Sequence, residues 1–318
     1  MPFSSRISRI GILSALLWSI SCVNETTDGN PPPETEYKGS GAFRILLTEK
    51  TAFSQGQPTV QGKVYDGDLP SSVLWQEAAT SGACTLLIPQ VPFCDPGCGS
   101  NAACVSDNVC KAFPKSVGVG KVTVTGMKTT AGATTFDMNP VLNGYQPPAG
   151  TSLEYIPFAE GDPVSISAAG DTAFGAFSVN VKAIARLDLQ NDSIVLEDGK
   201  PIHILWAPAG KDVGSRVEVY VDISHHGGSK GKIECETADN GSLDIDASLV
   251  DALKALGMSG WPTIEVTRRT TGTNAQAHVD LEIESTIARS LVIPGLISCT
   301  EDNDCPDGKT CQVDLQCK

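Results

Sequence analysis

Apolar and polar residues alternate along several stretches of the chain. The clearest stretch is residues 216–223, where Val217, Val219, Val221 and Ile223 interleave with Arg216, Glu218, Tyr220 and Asp222. A period of two sends one set to each face of a strand, so this is a strand with one wet and one buried side. Residues 278–284 repeat the pattern, with Val279, Leu281 and Ile283 between His278, Asp280, Glu282 and Glu284. Shorter strands are predicted at 43–48, 59–65, 122–125, 163–168, 177–181, 202–206 and 264–267. One helix is predicted: Asp246 or Ser248 can cap it, Leu249, Val250, Leu253 and Leu256 share a face, and Gly257 can end it. Many short strands, punctuated by 31 Gly and 20 Pro, predict an antiparallel β-sandwich with the helix over one end rather than alternating strand–helix units.

The N-terminus departs from this pattern. Arg6 and Arg9 precede an apolar run of eleven residues at 10–20, the layout of a secretory signal and too short to span a bilayer. Residues 1–21 are therefore expected to be removed. Residues 22–41 contain Pro31, Pro32 and Pro33 and almost no aliphatic side chains, and read as an extended tether. Residues 42–116 carry N-terminal strands and a first cysteine module, 117–298 the sandwich, and 299–318 a second module. Whether 42–116 is a separate domain or a further part of the sandwich is open at this level.

Loss of residues 1–21 lowers Lys plus Arg from 23 to 21 and leaves 37 acids, so the net charge moves from −14 to −16. Such a chain repels nucleic-acid phosphates and anionic headgroups, and any membrane attachment needs something other than a basic patch.

Eleven cysteines supply that possibility and a framework besides. Cys98, Cys104 and Cys110 are separated by five residues each, as are Cys305, Cys311 and Cys317, and each set follows one more cysteine, Cys94 or Cys299. The segments CDPGCGSNAACVSDNVCK and CTEDNDCPDGKTCQVDLQCK form an internal repeat. Neither holds enough apolar residues for a core, so disulfides worth about 2–4 kcal/mol each are expected to staple them. Zinc is the alternative, but the spacing lacks a C-x2-C knuckle. The expected pairing joins first to third and second to fourth cysteine in each module, and leaves Cys84 for Cys235.

The remaining cysteine follows Ser19-Ile20-Ser21, and Ser19-Ile20-Ser21-Cys22 resembles the lipobox of bacterial lipoproteins. The resemblance implies a diacylglyceryl group on the Cys22 sulfur and a palmitate-type acyl chain on the new amine, with no other cofactor. Ser19 stands where that pattern favours leucine, and small residues at Ser19 and Ser21 also suit an ordinary signal cleavage. Lipobox, tether and four-cysteine modules together resemble the cysteine-containing surface lipoproteins numerous in myxobacteria. That likeness implies a lipid-anchored cell-envelope protein. Val23 and Asn24 follow the anchor in place of an aspartate, which resembles the enterobacterial rule for outer-membrane sorting.

Candidate chemistry is sparse. His225 and His226 lie just past the end of the clearest strand, where a loop could present both imidazoles, and with Asp222 form a candidate metal site to which His203 or His278 would have to converge. A metal-assisted hydrolase would use this loop. The plainer reading is a solvent-facing turn at Gly227 and Gly228. Asp302, Asp304 and Asp307-Gly308 are similar to part of a calcium loop without its full pattern. Trp75, Trp206 and Trp261, with Tyr145, Tyr155 and Tyr220, offer either a sugar-stacking surface or core packing. The sequence-level expectation is a non-enzymatic binding, adhesion or structural protein, its partners the membrane and a glycan or protein ligand.

Overall fold

The computed structural model describes residues 40–49, 56–71, 73–172, 174–223, 230–258 and 260–318. Its first strands are β1 (Ser40–Thr48), β2 (Pro58–Tyr65), β3 (Leu74–Ser81), β4 (Cys84–Gln90), β5 (Ala102–Ser106), β6 (Val109–Ala112) and β7 (Ser116–Val117). Then come β8 (Val122–Thr125), β9 (Thr135–Met138), β10 (Gly144–Tyr145), β11 (Pro163–Ala168), β12 (Phe177–Lys182), β13 (Ile194–Val195) and β14 (Ile202–Leu205). The last are β15 (Arg216–Asp222), β16 (Lys232–Ala238), β17 (Ser242–Ile245), the helix α1 (Ala247–Ala255), β18 (Thr263–Asn274) and β19 (Val279–Val292).

One sheet of eleven strands organises the rest. Its order is β10-β2-β1-β19-β18-β15-β16-β4-β3, with β13 also on β19 and β7 on β2. β1 lies between β2 and β19, so the segment 42–116 contributes strands to the same sheet as 216–292 and is not set apart from it. The sheet is mostly antiparallel. The exceptions are β1 and β13, which both run parallel to β19.

The two longest strands explain how one sheet carries two cores. Along β19, Val279, Leu281, Ile283, Ser285, Ile287 and Leu291 are all buried on one face, as are Ile264, Val266, Arg268 and Thr270 along β18. At one end this face meets the four-stranded sheet β12-β11-β8-β9, where Phe43, Ile45 and Leu281 pack with Val124, Ile166 and Val179. At the other end it is covered by the β14–β17 pair and α1, where Val219, Ile233 and Ile264 pack with Ile204, Ile245 and Leu253. Each such side chain, fully buried, stabilises the fold by about 1.5–3 kcal/mol.

Between the cores the inward positions turn polar. Arg268 and Ser285 are register partners in the β18–β19 ladder. The Arg268 guanidinium, 1% exposed, donates to Asp239 at 2.6 and 2.9 Å and to the carbonyl of Arg186 at 3.1 Å, and it also reaches the carbonyl of Ala207. Asp239 further accepts from Trp206 Nε1 at 2.8 Å and Ser215 Oγ at 2.7 Å, and Ser285 Oγ accepts from the Leu187 amide at 2.9 Å. These bonds fix the crossing segments near 186 and 207 to the sheet, and every charge in the seam has a partner, as a buried charge requires.

Local chemistry accounts for several joints. Gly62 of β2 faces Phe43, and a Cβ there would fall 2.1 Å from the Phe43 ring. Phe43 and Tyr145 thereby close over the glycine with ring centroids 5.5 Å apart. Helix α1 follows Asp246, whose carboxylate bonds Ser81 of β3 rather than its own helix, and stops at Gly257, which takes the left-handed conformation with φ 94°.

Five disulfides join Cys84 to Cys235, Cys94 to Cys104, Cys98 to Cys110, Cys299 to Cys311 and Cys305 to Cys317. The modules follow the first-to-third, second-to-fourth order. In both, the third and fourth cysteines face one another across a hairpin, Cys104 with Cys110 and Cys311 with Cys317. Both hairpins turn through a residue at positive φ four positions after the third cysteine, Asn108 at 60° and Leu315 at 57°. The sequence repeat is thus a repeat in three dimensions.

Candidate binding surface

The face of the long sheet that points away from both cores carries the polar half of each alternating strand. Glu218 of β15 stands opposite Glu236 of β16 and Thr267 of β18, and Tyr220 stands opposite Glu234 and Glu265. A groove of about 570 Å³ is lined there by Glu77, Glu218, Tyr220, Glu234, Glu236 and Glu265, among others. Nearer β1, a second groove of about 740 Å³ is bordered by Arg44, Gln61, Lys63, Tyr65, Asp280 and Glu282.

Several of these carboxylates already have a cation. Arg216 Nε donates to Glu236 at 2.9 Å and Arg44 Nε to Glu282 at 2.7 Å, while Arg269 pairs with Glu218 and Lys232 with Glu234. Burial raises the Glu218 carboxyl above its ordinary range against the pull of Arg269. Glu284 is raised too, first by burial and then by the charge of Glu282. Lys232, 9% exposed, holds its ammonium 3.8 Å from the Trp75 ring centroid and 5.3 Å from that of Tyr220. A cation between two π faces and a carboxylate is a well-satisfied arrangement. Burial, followed by the charge and acceptor oxygen of Asp222 3.0 Å away, raises the Tyr220 phenol, which stays protonated at neutral pH.

The candidate metal ligands are distributed as follows. His225 and His226 lie outside the described residues. Asp222 ends β15 and accepts the Tyr220 hydroxyl. His203 sits on β14 with Nδ1 2.7 Å from Asp244 Oδ1 of β17, and His278 occupies the turn before β19 at φ 50°. Among the described residues, the sets of three adjacent metal-type donors are Cys94, Cys98 and Cys104, and Cys299, Cys305 and Cys317, all with sulfurs engaged in disulfides.

The acids of the second module act on its own backbone. Asp304 Oδ2 accepts from the Thr300 amide at 2.7 Å and the Thr300 hydroxyl at 2.8 Å, and Asp302 Oδ1 accepts from the Cys311 amide at 2.7 Å. The bonds from the Thr300 amide and hydroxyl, with a further one from the Glu301 amide, hold the Asp304 carboxyl below the ordinary range.

The aromatic residues divide. Trp206 and Tyr145 belong to different cores, and the Tyr145 hydroxyl accepts from the Val119 amide at 2.7 Å. Trp75 and Tyr220 share Lys232, while Trp261 and Tyr155 are exposed. They do not compose a single stacking platform. The Lys232 cluster went unpredicted, although the alternation Lys232-Ile233-Glu234-Cys235-Glu236 marks β16 as a strand.

No protein-family model matches the chain, and no curated protein matches it. Among solved structures it is similar to the FN1–FN3 domains of chicken CNTN1, at 9% identity over 73% of this chain and 78% of that one, with a TM-score of 0.20. An overlap of that size carries no argument, and the sandwich rests on the strand ladders and cores themselves.

Proposed function

We propose that the chain is an exported envelope protein, anchored through a lipid on Cys22, that works by binding or by surface architecture rather than by catalysis. The observation that carries this reading is the pairing of all ten cysteines beyond residue 22. Five disulfides belong to an oxidising compartment, and ten from eleven leaves the Cys22 thiol for acyl chemistry. Two or three acyl chains anchor durably at about 0.8 kcal/mol per buried methylene, so the acidic protein portion needs no membrane-seeking face. The paired ions of the open sheet face support a presenting surface over a reactive one.

Intact-mass measurement on protein from its native host tests the anchor. The expected product begins at Cys22 and carries diacylglycerol and an acyl chain. Cys22→Ser should lose that mass and move from the detergent to the aqueous phase. An unmodified Cys22, or free thiols among the other ten, overturns the reading.

A further inference from the structure

The loop after β10 opens a cleft beside β2. That strand alternates, with Pro58, Val60, Gly62 and Val64 buried and Thr59, Gln61, Lys63 and Tyr65 turned outward. β10 pairs with it at Gly144–Lys63 and Tyr145–Gly62. Gln146 then comes beside Gln61, and the ladder stops because Pro147 and Pro148 have no N–H to donate. The chain leaves through a turn closed by the Thr151 amide on the Pro148 carbonyl at 3.0 Å. Between this loop and β2 lies a groove of about 570 Å³, lined by Gln57, Thr59, Thr151 and Ser152 among others. Gln61 and Gln146 line both this groove and the one of about 740 Å³ near β1, so the two adjoin.

Charge sets this cleft apart. The first part has no charged side chain in its lining, and in the second Arg44 and Lys63 balance Asp280 and Glu282. The groove over β15 and β16 is instead lined by five glutamates and no cation, on a chain of net charge −14. In the neutral cleft, the side chains of Gln57, Gln61, Gln146 and Ser152 form no hydrogen bond to any described residue. An amide offers a carbonyl acceptor and two N–H donors, and a hydroxyl both donates and accepts, so this lining suits a ligand rich in hydroxyls.

We propose that the cleft binds a neutral polysaccharide, whose hydroxyls bond the Gln61 and Gln146 amides where the two grooves meet. The inference rests on the binding role proposed above and not on the lipid anchor. An anionic polymer is repelled by the surrounding acidic surface, and a cationic one is drawn to the five glutamates instead. An extended peptide adding as a strand would need an open edge, but Val60, on the side of β2 that β10 leaves, is 2% exposed.

The full folded chain, applied to an array of neutral, acidic and amino-bearing glycans, should retain neutral hexose polymers, with an affinity that does not change from low to high salt. The double variant Gln61→Ala, Gln146→Ala alters two exposed residues and should keep the melting temperature while weakening binding by about tenfold or more, as the loss of two hydrogen bonds requires. Glu265→Ala, in the acidic groove, should bind as the wild type does. Retention of charged glycans alone, of no glycan at millimolar concentration, or of an uncharged peptide such as polyproline in preference to every glycan would overturn the proposal. Equal binding by the glutamine variant would overturn it too, yet leave a glycan-binding protein whose site lies elsewhere.

Discussion

Arg268 shows how much one inward side chain decides. In β18 the inward series runs Ile264, Val266, Arg268, Thr270, and the charge appears where one hydrophobic core gives way to the other. Arg268→Ala should cost about 3–5 kcal/mol in urea unfolding, because Asp239 would remain buried without its cation. Burial alone would raise the Asp239 carboxyl, but the bonds from Arg268, Ser215 and Trp206 outweigh it and hold the group below its ordinary range. A depressed carboxylate contributes its stability above the unfolded pKa of about 3.9 and loses it as pH falls through the lower folded value. Acid unfolding of the wild type below about pH 4 should therefore be steeper than that of Asp239→Asn. Glu284 has the opposite sign. Its raised carboxyl favours folding below the unfolded pKa and loses that contribution as pH rises through the folded one. Glu284→Gln should raise the urea midpoint at pH 7 and leave it little changed at pH 4.

Among the elements, the hairpin of β3 and β4 joins the sheet through one strand, β16, and is further held by the Ser81–Asp246 bond at the start of α1 and by the disulfide between register partners Cys84 and Cys235. Replacing both cysteines by alanine should lower stability by about 2–5 kcal/mol, and hydrogen exchange should accelerate first in β3 and β4. Gly62→Ala tests the other side of the sheet, where a methyl against the Phe43 ring should cost about 1–3 kcal/mol. Alternation made β15 and β19 legible in the sequence because one face is wet and the other buried. β3 gave no such signal: it lies at the sheet edge, carries a bulge between Glu77 and Ala79, and buries little. Nor does a period of two say which strands are neighbours. The parallel pairing of β1 with β19 joins residues more than 230 positions apart, and no local pattern encodes it. The binding surface was less legible than the fold, since the placement of Lys232 between Trp75 and Tyr220 depends on three separate strands.

For the molecule as a whole, the strand that follows the proposed tether is an interior one. β1 begins at Ser40 and is bonded along its length to β2 on one side and, through eight register pairs, to β19 on the other. Because β1 and β19 point the same way, tension entering at Ser40 and leaving beyond Val292 runs along their ladder. The eight pairs are then strained together in shear instead of being peeled apart in turn. Pulled between a surface and a captured partner, the protein should yield at higher force than one tethered through an edge hairpin, a difference that single-molecule extension would resolve.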